Sequence, residues 1–402
     1  MEFTTRTLGE TCDEVDGVIQ TGPFGSQLHQ SDYRDEGTPV VMPKGLADDR
    51  VSIESIARIG EEDVERLARH KLENGDIVYA RRGDIGRRAL ITSREAGWMC
   101  GTGCMRISLG DTILNPRFLF YYLGQPDIVT WIYNQAVGAT MPNLNTSIVR
   151  SVPVKYPPLP TQRKIAAVLS AYDDLIENNT RRIAVLEQMA RLLYQEWFVR
   201  FRFPGHEDVA LVDSELGPTP EGWEVKQIGD VIELAYGKGL RKDDRIAGPY
   251  PVYGSSGIVD YHKESLVQGP GIIVGRKGNV GTVYWSDEAF YPIDTVFYVQ
   301  TDVCLHYVYY NLQEQNFIST DTAVPGLNRN QAYLLPFLLP NASTMQVFQE
   351  IVIPIFRQVR NLKLKNTILR RTRDLLLLLL LLLLPRLVSG QVDVSALEIA
   401  VE

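Results

Sequence analysis

RRGDIG (Arg81 to Gly86) returns 195 residues later as RKGNVG (Arg276 to Gly281), and this recurrence decides how the chain divides. Each hexapeptide follows a short β-rich run, DIVYA (Asp76 to Ala80) or GIIVG (Gly271 to Gly275), and leads into another, ALIT or TVYW. PNLN (Pro142 to Asn145) recurs as PGLN (Pro325 to Asn328), offset by 183, and a proline-rich ending at Pro160 recurs at Pro340. An opening LGE (Leu8 to Glu10) matches IGD (Ile228 to Asp230). One such match would be chance. Four in the same order imply a duplicated unit with loop insertions in the first copy, at a period far too long for a solenoid.

Each copy ends in a long helical stretch, from about Thr161 to Val199 and from about Ser343 to Leu384. The proline-bounded intervals hold 43 and 44 residues, enough for helices of roughly 60 Å. Ser343 with Gln346 reads as a capping box. Ile165, Leu169, Tyr172, Ile176, Ile183, Leu186, Leu193 and Trp197 recur at spacings of three and four, as do Phe348, Val352, Ile355, Val359, Leu362 and Leu369. This is a coiled-coil seam. The plainer alternative, core helices of ordinary domains, fits poorly because such helices rarely exceed about 25 residues. An antiparallel pairing in which facing residue numbers sum to about 545 sets Asn179 against Asn366. It also brings Asp173, Asp174 and Glu177 to the stretch holding Arg370, Arg371 and Arg373. A parallel pairing satisfies neither the polar groups nor the charges.

The remainder reads as α+β: two β-rich mixed domains with Val/Ile/Tyr strands between Gly, Pro and Asn turns. The expected divisions are 1–158 for a first domain, 159–203 for a central helix and 204–340 for a linker and second domain. A C-terminal helix at 341–388 and a tail at 389–402 follow. Short helices are expected near Glu61 to Arg69, Pro116 to Leu123 and Leu305 to Gln313, with Phe203 to Trp223 as the linker. The length of 402 residues agrees with two or three domains. Four scattered cysteines, no charged-then-apolar leader and a longest apolar run of ten residues point to a soluble cytoplasmic protein with no membrane partner. A net charge of −8 argues against a general nucleic-acid coating protein, though not against local positive patches.

Catalytic signatures are missing. GPGIIVGRKG (Gly269 to Gly278) has the wrong spacing for a phosphate loop, and NPRF (Asn115 to Phe118) lacks the second proline of the NPPF-type motif of methyltransferases that act on amino groups, and the glycine-rich cofactor loop is missing. Cys100 and Cys104 have no second pair, the five histidines show no metal spacing, and no GxSxG elbow occurs. What remains is a set of basic and polar loops. Arg81, Arg82, Arg87 and Arg88 surround two glycines in the first copy, while Lys238, Arg241, Lys242, Arg276, Lys277 and Asn279 are their counterparts in the second. Arginine and lysine neutralise phosphates, and arginine reads guanine O6 and N7. Asn143, Asn145, Asn328, Asn330 and Gln331 suit adenine edges, with Arg329 among them. A solvated loop is the competing explanation for any single residue, but the repetition of the set in both copies favours nucleic-acid contact.

PPLPTQRKIAAVLSAYDDLIENNTRRI (Pro157 to Ile183), LYQEWFVRF (Leu193 to Phe201) and RRTRDLL with LPRLVSGQVDV in Arg370 to Val394 resemble specificity subunits of bacterial type I restriction-modification systems. GPFGSQL (Gly22 to Leu28) and the RxGxxG loops are similar to that family's target recognition domains. The resemblance covers nearly the whole chain. It implies two target recognition domains separated by two antiparallel helices, each reading half of a bipartite site in double-stranded DNA. It implies no catalytic activity and no cofactor or metal in this chain. The expected partners are two modification subunits, using S-adenosylmethionine to methylate adenine, and two restriction subunits, using ATP and Mg. The loops of the two domains differ, so the half-sites should differ. The alternative class is a stand-alone structural or regulatory coiled-coil protein with two ligand- or protein-binding β-rich domains; a single-chain methyltransferase-nuclease lacks its motifs. One departure is the run of ten leucines, Leu375 to Leu384, apolar on every helical face. It would either dock partner subunits or lengthen the spacer and change the half-site separation.

Overall fold

Leu159–Tyr194 is a single α-helix of 36 residues and Ala342–Leu378 one of 37. The computed structural model describes residues 3–47, 49–54, 56–136, 143–317 and 326–379. The chain forms two compact units, Met1–Ile176 with Ile368–Glu402, and Glu177–Thr367. Each unit therefore takes a β-rich domain together with part of each long helix, where the sequence had suggested separate helical segments. Of the leucine run, Leu380 to Leu384 lie outside the described residues, as does the tail. Among the described residues no helix is long and apolar enough to cross a membrane.

Within the first unit, Ile165, Leu169 and Ile176 are buried, and Leu377 joins the same core as Ile165 and Leu169. The Arg373 guanidinium donates to Asp173 at 2.5 Å, as the antiparallel register requires. Within the second unit, Trp197, Phe348 and Val352 share a core, and Asn179 donates to the Asn366 side-chain oxygen at 2.9 Å. Asn366 in turn donates to the Thr180 hydroxyl at 3.2 Å, so the polar break in the seam is satisfied internally. The central helix closes on a π-turn, Gln195–Val199, which turns Trp197 and Phe198 inward. The C-terminal helix is capped by Asn341, whose side-chain oxygen accepts the Thr344 amide at 2.9 Å. Ser343 is not the cap expected of it: it already lies in the first turn, and its hydroxyl donates to Asn341.

The two β-rich domains repeat one plan. In the first, an antiparallel sheet runs in the order Val18–Thr21, Cys104–Ser108, Ile77–Ala80, Arg88–Leu90. In the second, the order is Glu233–Tyr236, Val296–Gln300, Gly271–Gly275, Val283–Ser286. The interior strands Ile77–Ala80 and Gly271–Gly275 are buried at every position, which is why both read as unbroken apolar runs. A two-stranded ladder closes each domain, Thr4–Thr7 with Pro153–Tyr156 and Glu224–Gln227 with Pro336–Leu339. The LGE/IGD match is a helix start: Glu10 accepts the Thr7 amide at 2.7 Å, and Asp230 accepts the Gln227 amide at 3.2 Å. Each domain carries a second sheet, in the order Met99–Cys100, Thr38–Val41, Ala57–Ile59, Tyr33–Arg34 in the first and Gly257–His262, Tyr250–Gly254, Tyr291–Pro292 in the second. Helices Glu61–Arg66, Pro116–Tyr122 and Leu305–Glu314 form where expected. The supposed linker is folded instead. Leu211–Ser214 pairs with Gly217–Pro220, and Phe203 and Trp223 are buried with ring centroids 5.2 Å apart.

Candidate nucleic-acid interface

The two sequence repeats meet in space, in each unit separately. Leu144 donates its amide to the Arg81 carbonyl at 2.9 Å, and Leu327 donates to the Arg276 carbonyl at 2.8 Å. Single β-bridges join Arg82 to Asn143 and Lys277 to Gly326. The RxGxxG loop and the LN-containing loop are thus one surface feature built twice. Its glycines are dictated by backbone. Gly83 and Gly278 take φ of +78° and +80°, and Gly86 and Gly281 take +108° and +76°, a region costly to other residues. Gly275 closes the second loop, accepting from Gly281 at 2.9 Å, and a Cβ there would lie 2.1 Å from the Asn279 carbonyl oxygen.

Not every expected contact residue reaches the surface. Arg81 is buried, with Nε donating to the Leu144 carbonyl at 3.1 Å. Arg88 is also buried: Nε donates to the Phe120 carbonyl at 2.8 Å, the guanidinium stacks 4.7 Å from the Phe120 ring centroid, and Asp49 pairs with it at 3.2 Å. Both arginines serve the fold in this structure, because desolvated guanidinium groups must satisfy their donors internally. Asn145 and Asn328 are exposed, yet their side-chain oxygens cap short helices, accepting from Ile148 at 2.9 Å and from Asn330 at 3.0 Å. Asn143 is half-buried. Arg82 is exposed, and Arg87 is exposed but ion-paired with Asp84.

The second domain presents a different surface. Lys238, Arg241, Lys242, Lys277 and Asn279 are exposed. Arg276 lies 5.2 Å from the Tyr236 ring centroid and Arg329 lies 4.8 Å from it. The structure therefore gathers Arg276 and Arg329 around Tyr236, with Lys277 and Asn328 their neighbours along the chain, whereas Arg241 and Lys242 belong to a separate turn, with Lys242–Asp244 a short helix. Tyr236 was missed from the sequence. Its signal was an aromatic residue at a strand end directly before GKG (Gly237 to Gly239).

The other chemistry-bearing motifs resolve into structure. Asn115 of NPRF is an N-cap that accepts the Phe118 amide at 3.0 Å, with Pro116 at the first helical position. Cys100 and Cys104 are core residues whose thiols burial pushes up, that of Cys100 to about 12. Among the described residues no group of three or more His, Cys, Asp or Glu could hold a metal ion.

Comparison with known proteins agrees with this plan. The type I restriction-modification DNA specificity domain matches residues 18–188 and 220–382. The MjaIX type I restriction enzyme specificity subunit of Methanocaldococcus jannaschii is 25% identical, the alignment covering 89% of this chain and 88% of that one. The HindI specificity subunit of Haemophilus influenzae is 22% identical, with 82% and 89% covered. A crystal structure of the type I system S subunit from M. genitalium superposes with a TM-score of 0.57 at 16% identity, covering 95% of this chain and 96% of that one. Family matches to both halves, each with the same loop pair on the same sheet, make the chain a member of the type I restriction-modification specificity subunit family.

Proposed function

We propose that this chain recognises a bipartite double-stranded DNA site, one half through each β-rich domain, and directs partner subunits to it. The observation that carries the reading is the paired basic loop set in each unit, with Arg82 and Lys277 exposed and Arg276 and Arg329 half-buried, on two copies of one frame. Exposed arginine and lysine on glycine-rich turns let a backbone approach phosphates and let forked donors reach base edges. The partners proposed are two modification subunits, supplying S-adenosylmethionine-dependent adenine methylation, and two restriction subunits using ATP and Mg. The chain itself would carry out no chemistry, bind no cofactor and work in the cytoplasm.

The test is co-expression with candidate modification subunits, followed by mapping of methylated adenines in the host genome. Two short sequences at a fixed separation, methylated only when this chain is present, are expected. A uniform or unchanged methylation pattern with a stable complex would overturn the reading. Arg276→Ala with Lys277→Ala should leave the complex assembled and weaken binding only to sites carrying the second half-site, with a shallower salt dependence. Unchanged affinity and salt slope would count against the loop as the interface.

A further inference from the structure

Because the two domains share a frame, residue-for-residue differences at the reading surface can be identified from strand register. Thr21 pairs with Met105 in the first domain, and Tyr236 pairs with Phe297 in the second. On the next strand over, Cys104 pairs with Ala80 and Val296 pairs with Gly275. Thr21 therefore stands where Tyr236 stands, and Arg81 where Arg276 stands. The helix caps Asn145 and Asn328 likewise align Thr146 with Arg329. The first domain holds a threonine, an arginine and a threonine at these three places. The second holds a tyrosine and two arginines.

This difference explains the fate of the shared arginine. With no ring beside it, Arg81 folds inward and spends its Nε on the Leu144 carbonyl. In the second domain the ring of Tyr236, 50% exposed, holds Arg276 and Arg329 at 5.2 and 4.8 Å from its centroid. A guanidinium stacked on a ring uses its face and keeps its N–H edges available in the plane. Among the described residues neither arginine pairs with a carboxylate, and the Arg329 Nε is buried without an acceptor. Two like charges on one ring, neither paired with a carboxylate among the described residues, are complementary to a surface rich in paired acceptors. Guanine offers that pairing through O6 and N7 in the major groove.

We infer that Arg276 and Arg329, packed against the ring of Tyr236, each read a guanine in the half-site of the second domain, and that the exposed Lys277 beside them takes a phosphate. This assignment rests on the reading of the loops as a DNA interface. Tyr236 is a positioning residue: its ring holds both guanidinium groups in place without contacting bases.

The experiment is selection of bound sequences from a random duplex library by the full-length chain with co-expressed modification subunits, with affinities then measured on single-base variants. The wild type should select guanine at two positions of the second half-site. Arg276→Lys and Arg329→Lys keep the charge and lose the fork, so each should lose roughly ten- to a hundred-fold discrimination at one guanine. The first half-site should remain as selective as before. Tyr236→Thr, which installs the residue of the first domain, should relax both positions, while Tyr236→Phe keeps the ring and should retain them. Lys277→Gln should weaken all sequences alike and lower the salt slope by about one. Arginine variants that weaken every sequence equally would make these groups phosphate clamps, overturning the inference while leaving the interface standing. If no variant, alone or combined, alters DNA binding, both fail. Should Tyr236→Thr not fold, the two lysine variants decide the matter.

Discussion

Arg82 lies in the loop and Arg88 six residues on at the start of the next strand, and removing each has a different meaning. Arg88→Ala strips a buried guanidinium from the Phe120 carbonyl and from Asp49, and should destabilise the first unit by about 2–3 kcal/mol. Arg82→Ala removes an exposed side chain and should change stability by less than about 0.5 kcal/mol while weakening DNA binding. Chemical denaturation of both variants separates the two roles; similar stability losses would contradict the assignment. A second residue-scale expectation concerns pH. His306 packs 4.8 Å from the Trp285 ring and 4.4 Å from the Phe356 ring, and its burial pushes its pKa down from 6.5 to about 4. The unfolded chain therefore binds this proton more readily. The stability His306 confers is full above pH 6.5 and is lost as pH falls through 4, on the order of 3 kcal/mol. His306→Phe should flatten the melting temperature across that window relative to the wild type; an identical acid profile would refute the point.

At the scale of elements, the seam depends on a polar pair inside an apolar stripe. Asn366, 3% exposed, exchanges hydrogen bonds with Asn179 and Thr180. Asn366→Leu alone strands the Asn179 amide and should cost about 1–3 kcal/mol. The double change Asn179→Leu with Asn366→Leu should recover much of this loss and make the pairing less unique, since a buried amide pair specifies register. Cross-linking of cysteines placed along both helices measures it; a single product pattern in the double variant would argue against a register role. The helices, their direction and the duplication were legible because period, proline bounds and charge all act locally along the sequence. The cap of the C-terminal helix was not, because Asn341 and Ser343 are both good capping residues and the path of the entering chain chooses between them. Nor was the inward turn of Arg81 onto the Leu144 carbonyl against the packing of Arg276 on Tyr236. The deciding residues, Thr21 and Tyr236, lie about 40 to 60 positions away on another strand and meet the loop only in the folded sheet. The supposed linker was misjudged for a similar reason: its Pro and Gly mark the turns of a hairpin that Phe203 and Trp223 anchor.

At the scale of the whole chain, the leucine run takes on a different weight. Leu377 and the half-buried Leu376 belong to the first unit's core, next to a helix held by Arg373 and Asp173, while Leu375, Leu378 and Leu379 are exposed. Ten identical residues make any seven-residue deletion leave three leucines behind, enough to refill positions 375 to 377. Contrary to the spacer-lengthening expectation, such a deletion should keep the half-site separation and affect only the residues beyond Leu377. Mapping methylated adenines in cells carrying the deletion checks this; a shifted separation would restore the ruler interpretation. The Thr21/Tyr236 difference has a consequence of its own. A frame duplicated with identical reading residues would accept the same sequence in both halves of its site, and the halves would be interchangeable. Here the ring and two forks occur in the second domain only, so the two halves would not be interchangeable. On the proposed reading, each site would carry an arrow, and any machine recruited there would know in which direction it faces.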